Sequence, residues 1–309
     1  MQGHPPPGAT TVVTQATEPP ATGPREATSL LGKPLYRPVL PPEKLQELEA
    51  KLAEARADYE AHPDDPERVI WLGRRLGYLG RYRDAIDVYS RGLRTWPQYA
   101  KLYRHRGHRY ITVRQFQDAI SDLERAARLI EGVPDEIEPD GMPNEYGIPT
   151  STSHSNIWYH LGLAHYLRGD LEAARRAYDQ CMRFSTNDDM LCATSHWLYM
   201  TYRRLGRRKE AERLLEPIRA DMRILENRAY HALLLMYKGE KTPEALLEVA
   251  GGDLDVATLG YGVGNWYSYH GQREKAVQVF ERVVQEAPWA AFGSIASEAE
   301  LRRLQTSRR

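Results

Sequence analysis

The stretch Gly80-Arg-Tyr-Arg-Asp-Ala-Ile-Asp-Val-Tyr89 decides the fold of this chain, because its spacing returns four more times. A turn residue is followed five positions later by alanine and, four positions after that, by a large side chain. The first recurrence begins 34 residues on, at Arg114, and others begin at Gly169, Gly206 and Gly271. A recurring unit of this size is typical of solenoids, in which helical hairpins stack on their neighbours. The pattern therefore predicts an all-α solenoid.

A second pattern lies upstream of most of these blocks and pairs a glycine with large side chains. It reads Leu72-Gly73, Arg106-Gly107-x-x-Tyr110, Trp158-x-x-Leu161-Gly162 and Val263-Gly264-x-x-Tyr267, and Pro97 and Pro288 close two of the units. Together the two patterns resemble the tetratricopeptide repeat family, with its W-x2-L-G-x2-Y, A-x3-F and P positions. The resemblance implies a right-handed superhelix of antiparallel helix pairs that acts as a protein–protein interaction scaffold.

The small residues of the pattern have a packing role. The glycines let the two helices of a unit approach each other, and the alanines do the same from the other helix. Large side chains such as Tyr89, Tyr178 and Phe280 are expected to fill the gap against the neighbouring repeat, since one hairpin cannot bury its own face. The alanines concerned are Ala85, Ala119, Ala174, Ala211 and Ala276.

Composition divides the chain into an arm and a solenoid. Residues 1–42 are rich in proline and threonine, which predicts a disordered arm, although residues 29–36 are apolar enough to dock on the solenoid. Residues 43–309 form the predicted solenoid, with a capping helix at 43–61 and a C-terminal helix at 294–304. The predicted repeats are 66–99, 100–130, 155–188, 192–222, 225–251 and 257–290.

The second and third repeats are separated by an acidic insert, residues 131–154, which no helix pattern explains. It contains no Lys or Arg, and after Glu131 it carries the carboxylates of Asp135, Glu136, Glu138, Asp140 and Glu145. Four prolines restrict its unfolded state, so we expect an ordered loop. Clustered carboxylates suggest calcium, but their spacing does not match an EF-hand loop, and we assign no metal.

Overall composition excludes some classes of partner. Lys plus Arg and Asp plus Glu both number 42, so no bulk attraction to nucleic acid is expected. The mean hydropathy of −0.62 and the absence of a long apolar run predict no transmembrane segment. Cys181 and Cys192 flank a predicted turn. They could form a disulfide, but buried free thiols are the favoured interpretation.

The resemblance to tetratricopeptide repeats places the first helix of each pair along a concave groove. The groove positions are basic, aromatic or amide-bearing, and they are Arg74, Tyr78, Lys101, Arg104, His108, Asn156, Tyr159, Tyr166, His196, Arg203, Arg204, Tyr237, Tyr261, Asn265 and Tyr269. Such a surface suits an extended, acidic peptide or protein segment, because Arg makes forked hydrogen bonds to carboxylates. We expect Arg104 and Arg203 to lie on the solvent face of their helices.

No motif in the sequence predicts catalysis, a cofactor or a metal site. The histidine pairs lack an accompanying His-Glu-x-x-His pattern, and Gly260-x-Gly262-x-Gly264 lacks the preceding strand of a phosphate-binding loop. The alternative to a scaffold is a small-ligand or metal-binding protein, or an enzyme. Its site would lie where the insert meets the groove, near Arg104, His108, His160 and His196.

The arm bears on localisation. It opens Gln2-Gly3-His4 and resembles in style the mature start of a bacterial lipoprotein, with Met1 in place of the acylated cysteine. The chain in this respect resembles uncharacterised bacterial envelope proteins of the repeat family, which implies a periplasmic or envelope location and a lipid tether in the native product. No signal peptide is present in this numbering. The alternative is the tail of a cytoplasmic protein.

Overall fold

The computed structural model describes residues 23–249 and 252–306, and within these ranges it contains a β-hairpin and fourteen helices. The strands are β1 (Arg25–Thr28) and β2 (Pro34–Tyr36). The first helices are α1 (Pro42–Ala61), α2 (Pro66–Tyr78), α3 (Tyr82–Thr95), α4 (Ala100–Thr112), α5 (Phe116–Leu129), α6 (Ser153–Arg168) and α7 (Leu171–Met182). They are followed by α8 (Asp188–Arg204), α9 (Arg208–Arg213), α10 (Arg228–Tyr237), α11 (Pro243–Glu248), α12 (Asp253–Tyr269), α13 (Arg273–Glu286) and α14 (Phe292–Thr306).

The helices form an all-α solenoid of six pairs, from α2–α3 to α12–α13. The two helices of a pair pack on each other, and along most of the chain each pair also packs on the next one. Helix α1 packs on α2 at one end, and α14 packs on α12 and α13 at the other. Helix α8 begins at Asp188, four residues before the predicted unit, because the Asn187 side chain accepts a hydrogen bond from the Met190 N–H at 2.9 Å and caps the helix.

A glycine in the first helix of four units lies beneath a large side chain of the second helix. A Cβ atom on Gly73 would lie 2.3 Å from the Tyr89 ring, and one on Gly162 would lie 2.6 Å from the Tyr178 ring. Gly107 with Leu123, and Gly264 with Phe280, repeat this arrangement at the same separation of sixteen residues. The expectation that these large side chains fill the gap to the neighbouring repeat is therefore incomplete, because each first fills the gap within its own unit.

The unit α8–α9 departs from this rule. Tyr199 stands sixteen residues before Leu215, where four other units have glycine. This unit therefore lacks the glycine contact of those four pairs, and α9 extends for only six residues. The degenerate sequence of this unit therefore corresponds to a shortened second helix.

Residues 25–36 form the antiparallel hairpin of β1 and β2, so the predicted disorder of the arm is wrong for residues 25–28, whereas the expected docking of residues 29–36 is confirmed. Residues 1–22 lie outside the described residues. The buried carboxylate of Glu26 accepts a hydrogen bond from the Arg83 N–H at 3.0 Å and pairs with Arg37 at 3.0 Å. Ala27 is buried beside Tyr82 and Val113. The hairpin is therefore docked on the solenoid, and two polar contacts compensate its buried charge.

The C-terminal helix α14 crosses back to the second and third units. Its buried Glu298 pairs with Arg114 at 2.6 Å and accepts a hydrogen bond from the Leu30 N–H at 2.9 Å. The ring of Phe292 lies 5.3 Å from that of His108 on α4 and 5.7 Å from that of His160 on α6. The last helix therefore joins distant parts of the chain in addition to capping the final repeat.

Candidate protein-binding groove

The concave face of the first two units carries four of the predicted groove residues, and the acidic insert lies across it. We define the α2–α4 groove as the face formed by Arg74, Arg75 and Tyr78 of α2 and by Lys101 and Arg104 of α4. The Arg104 Nη2 atom lies 2.9 Å from a carboxylate oxygen of Glu138. The Lys101 Nζ atom lies 2.7 Å from Glu136 and 2.7 Å from Glu67. Helix α4 therefore binds the side chains of the insert.

Helix α2 binds the backbone of the same segment. Arg74 donates a hydrogen bond to the Pro139 carbonyl oxygen at 2.8 Å, and Arg75 donates one to the Gly141 carbonyl oxygen at 3.0 Å. A Cβ atom on Gly141 would lie 1.9 Å from the Tyr78 hydroxyl, so only glycine fits there. The groove therefore contacts both the carboxylates and the main chain of the insert.

The bound part of the insert has an extended backbone. The Glu138 N–H donates to the Ser151 carbonyl at 3.1 Å, and the Ser153 N–H donates to the Glu136 carbonyl at 2.9 Å. Successive side chains of an extended segment point to opposite faces. Glu136 and Glu138 accordingly face α4, whereas the side chain between them, Ile137, is 67% exposed.

The groove is a buried, cationic environment. Arg104 is only 8% exposed, which makes the expectation that it faces solvent wrong. Burial lowers the pKa of Arg104 from its usual value, and the Glu138 carboxylate opposes this shift. Burial, with Arg104 and Arg74 as secondary causes, lowers the pKa of His105 well below its usual range. The Glu138 carboxylate therefore provides compensating negative charge for a group of basic side chains.

Two further histidines lie between the groove and α14. The rings of His108 and His160 are 4.4 Å apart, and the His160 Nδ1 atom donates to the Asn156 carbonyl oxygen at 2.6 Å. Burial lowers the pKa of both histidines well below the usual range, and neighbouring arginines add to this effect. His196 lies elsewhere, stacked on Tyr230 with ring centroids 4.8 Å apart. The residues of the predicted small-ligand site are therefore not brought together as one cluster.

The remaining predicted groove residues are mostly buried against one another. The Tyr261 hydroxyl donates to the Tyr166 hydroxyl at 2.8 Å, and both rings pack on Trp197. Since α6, α8 and α12 contribute these rings, the inner faces of three different units meet. The expectation of an open groove along the whole solenoid is therefore wrong in this half of the molecule.

Polar contacts within the chain occupy the other predicted positions. These contacts are Asn156 with Ser151 at 2.9 Å, Tyr159 with Tyr230 at 3.2 Å, Arg203 with Tyr199 at 2.8 Å, Arg204 with Glu300 at 3.2 Å, and Tyr237 with His196 at 3.2 Å. Asn265 donates to the Tyr261 carbonyl oxygen at 3.3 Å, and the Tyr269 ring lies beneath the Arg203 guanidinium. These residues stabilise the interior of the solenoid in this structure.

Sequence reasoning missed residues on both sides of the groove. Arg75 was not selected because only its neighbour Arg74 was assigned to the concave face. Glu136 and Glu138 were recognised as acidic but were not assigned to the groove. The signal for their role was present, since an insert with six carboxylates and no Lys or Arg is complementary to a basic face.

Metal and membrane features can be stated for the described residues. Among them, no group of three or more His, Cys, Asp or Glu side chains is placed to hold a metal ion. In the same part of the chain, no helix combines the length and apolar character needed to cross a membrane. Cys181 and Cys192 are both free and buried, as expected, and burial raises the pKa of each thiol to about 12.

Stacked helix pairs with a concave face that contacts an extended segment define the class of α-helical repeat proteins, which act as scaffolds for protein–protein interaction. Residues 155–188, which overlap α6 and α7, match the family model of the tetratricopeptide repeat. Residues 155–188 are therefore similar to one tetratricopeptide repeat, formed by α6 and α7. No curated protein sequence matches it significantly.

Solved structures with a similar fold include YrrB, described as a TPR protein with an unusual peptide-binding site. It is 15% identical, with a TM-score of 0.43, and the match covers 82% of this chain and 98% of that chain. A tetratricopeptide repeat protein from Parabacteroides merdae is 13% identical, with a TM-score of 0.46 and coverage of 84% and 99%. Repeats of a putative kinesin light chain from Podosopora anserina are 16% identical, with a TM-score of 0.44 and coverage of 80% and 99%.

Proposed function

We propose that this scaffold binds an extended, acidic segment of a partner protein in the α2–α4 groove. One observation carries the proposal: this face already holds an extended acidic segment, which belongs to the chain's own insert. Glu138 and Glu136 pair with Arg104 and Lys101 at 2.9 and 2.7 Å. A surface that binds such a segment within the chain has the chemistry to bind one from another protein.

The contacts support recognition of both charge and conformation. Arg104 and Lys101 contact carboxylates, and charge-assisted hydrogen bonds of this kind are stronger than neutral ones. Arg74 and Arg75 contact main-chain carbonyl oxygens, which any residue in an extended segment supplies. The proposed ligand is therefore defined by its carboxylates and by its extended backbone, and its other side chains can vary.

The proposed binding surface is narrower than the one expected from sequence. The aromatic residues of α6, α8 and α12 fill the interior of the solenoid, whereas α2 and α4 contact a loop. A partner segment can reach α2 and α4 by replacing that loop, without separation of packed helices. We therefore confine the proposed site to the N-terminal two units.

Affinity capture from the native organism tests the proposal. Lys101→Glu places a negative charge in the groove and should abolish capture of the specific partner. Arg228→Glu is the matched control, because Arg228 is exposed and pairs with Glu145 of the insert at 3.1 Å, away from the groove. The captured protein should also be released as NaCl is raised from about 0.1 to 0.5 M, since salt screens solvent-accessible charge pairs such as those made by Lys101. Capture of the partner by Lys101→Glu at the level seen with Arg228→Glu and the unaltered chain would contradict the proposal.

We also propose an envelope location for this scaffold, with a lipid tether in the native gene product. The support is the Pro/Thr-rich composition of residues 1–22 and the resemblance of their opening to a mature lipoprotein. Fractionation of the native cells, with immunodetection of the chain in the membrane, periplasmic and cytoplasmic fractions, tests this proposal. Recovery in the cytoplasmic fraction alone would contradict it.

A further inference from the structure

We propose that residues 135–141 of the insert are an intramolecular competitor that occupies the α2–α4 groove until a partner segment displaces it. The inference rests on the proposed function and adds the regulation and ligand chemistry of the same site. The ligand it defines is an extended segment with carboxylates at alternate positions, as at Glu136 and Glu138, followed by a residue without a side chain at the position of Gly141.

The way in which the insert is docked supports displacement. Its large apolar side chains point away from the solenoid: Ile137 is 67%, Met142 55%, Tyr146 52% and Ile148 43% exposed. Release of the insert therefore uncovers little apolar surface, which is the main source of stability for packed segments. The insert is held chiefly by ion pairs and hydrogen bonds, and a partner with the same groups can replace these contacts.

The C-terminal end of the insert stays anchored when its middle leaves the groove, and its N-terminal end continues directly from α5. Thr152 caps α6 by accepting a hydrogen bond from the Ser155 N–H at 3.1 Å. The Thr150 carbonyl oxygen accepts a hydrogen bond from Asn187 at 2.8 Å. These contacts lie outside the groove and do not involve its basic residues. The displaced segment therefore remains tethered, and displacement is reversible.

Tethering sets the strength with which the insert competes for the groove. A segment on a short connection has an effective concentration in the millimolar range, so it outcompetes a dilute ligand of equal intrinsic affinity. The apparent dissociation constant of a partner is raised in inverse proportion to the fraction of molecules with an empty groove. Weakening the insert without changing the groove should therefore tighten binding of an external ligand.

Fluorescence anisotropy of a labelled peptide, with the sequence of residues 134–143, tests this in the full-length chain. The double variant Glu136→Gln and Glu138→Gln removes both carboxylates of the competitor and leaves the groove intact. We expect it to bind the peptide about tenfold or more tightly than the unaltered chain. Amide hydrogen exchange at Glu138 and Ser153 should accelerate in the variant, because these N–H groups bond within the docked insert.

Three controls accompany this measurement. Glu145→Gln removes an insert carboxylate that pairs with exposed Arg228, and it should leave peptide affinity unchanged. Adding Lys101→Gln to the double variant should abolish the gain in affinity. Glu136→Gln alone, at an exposed carboxylate, serves if the double variant does not reach native helicity.

The outcomes separate this inference from the proposed function. Equal, measurable affinity in the unaltered chain and the double variant would overturn competition while leaving the groove a binding site. Accelerated exchange of the insert without any peptide binding would overturn the proposed function and this inference together. Unchanged exchange in the double variant would show that the ion pairs do not hold the insert, and would also overturn the competition.

Discussion

Gly162 illustrates the smallest unit on which this fold depends. It lies in α6 beneath Tyr178 of α7, and the tyrosine ring occupies the volume that a Cβ atom would need. The ring is fully buried. A glycine inside a helix normally costs about 1 kcal/mol relative to alanine. Here the close contact between the two helices of the repeat compensates that cost.

We predict that Gly162→Ala destabilises the chain. The new Cβ would lie 2.6 Å from the Tyr178 ring, and overpacking of a core contact costs about 1–3 kcal/mol, only part of which the better helix propensity offsets. Gly77→Ala is the matched control, since its Cβ would meet the flexible end of Arg109 at 3.0 Å. Urea unfolding should show a lower free energy of unfolding for Gly162→Ala and little or no change for Gly77→Ala. Equal stability of the two variants would contradict this account.

At the scale of elements, one residue connects the turn between α4 and α5 to the C-terminal helix. Arg114 has a φ of +66°, a left-handed conformation that the other units give to glycine, as at Gly80 and Gly169. Its guanidinium pairs with Glu298 of α14 and donates to the Trp289 carbonyl oxygen at 2.7 Å. The unfavourable backbone conformation is therefore compensated by contacts that hold α14 in place.

Substitutions of Arg114 should separate the cost of its left-handed backbone from the stabilising effect of its contacts with α14 and Trp289. Arg114→Ala loses the buried ion pair and keeps the left-handed backbone, so we expect a loss of about 3–5 kcal/mol. Arg114→Gly loses the same contacts but removes the backbone cost, and it should be more stable than Arg114→Ala by about 1 kcal/mol. The free energy of unfolding in urea measures both. A glycine variant less stable than the alanine variant would contradict the role assigned to the backbone.

At the scale of the whole molecule, the solenoid is closed by contacts between distant segments. The N-terminal hairpin contacts α14, since the Leu30 N–H donates to Glu298 at 2.9 Å, and the Trp289 indole N–H donates to the Tyr36 carbonyl oxygen at 2.9 Å. The inner faces of α6, α8 and α12 meet through aromatic rings. Histidines that would be solvated in an open solenoid are therefore enclosed in this interior.

This closure predicts that stability falls as the pH is lowered. Burial lowers the pKa of His196 to about 3, whereas its unfolded value is about 6.5. The unfolded chain therefore binds a proton in the window between these values, while the folded chain does not. Stability is fully present above about pH 6.5 and is lost as the pH falls below it. This group alone should reduce the free energy of unfolding by about 2 kcal/mol between pH 7 and pH 5.

Urea unfolding of the unaltered chain and of His196→Gln at both pH values tests this prediction. Between pH 7 and pH 5, the free energy of unfolding of His196→Gln should fall by about 2 kcal/mol less than that of the unaltered chain. Buried His105, His108 and His160 should lower the free energy of unfolding further in both proteins as the pH falls. His270→Gln is the control, because His270 is exposed. A pH dependence identical in all three proteins would contradict the proposed burial of His196.

Local pattern was sufficient to predict the helix pairs. Units such as α6–α7 and α12–α13 contain the turn glycine, the buried alanine and the glycine beneath a large side chain at similar spacings. The same pattern therefore predicts both of these helix pairs. The packing of neighbours follows from the same pattern, because a hairpin cannot bury its own face. The solenoid class and the buried faces between the two helices of a unit could therefore be predicted from the sequence.

Tertiary structure alone decided what fills the concave face. The contacts between Glu138 and Arg104, Glu298 and Arg114, and Tyr261 and Tyr166 join residues of different units or of the insert, and no position in the repeat pattern specifies them. The curvature of the stack decides whether a groove position is open or buried. This curvature is the sum of small rotations between neighbouring units, and the sequence pattern of a single unit does not specify it. The amino-acid sequence therefore determined the repeat unit and the charge of each surface, and the three-dimensional stacking decided that the acidic insert and α14 would cover the basic and aromatic groove.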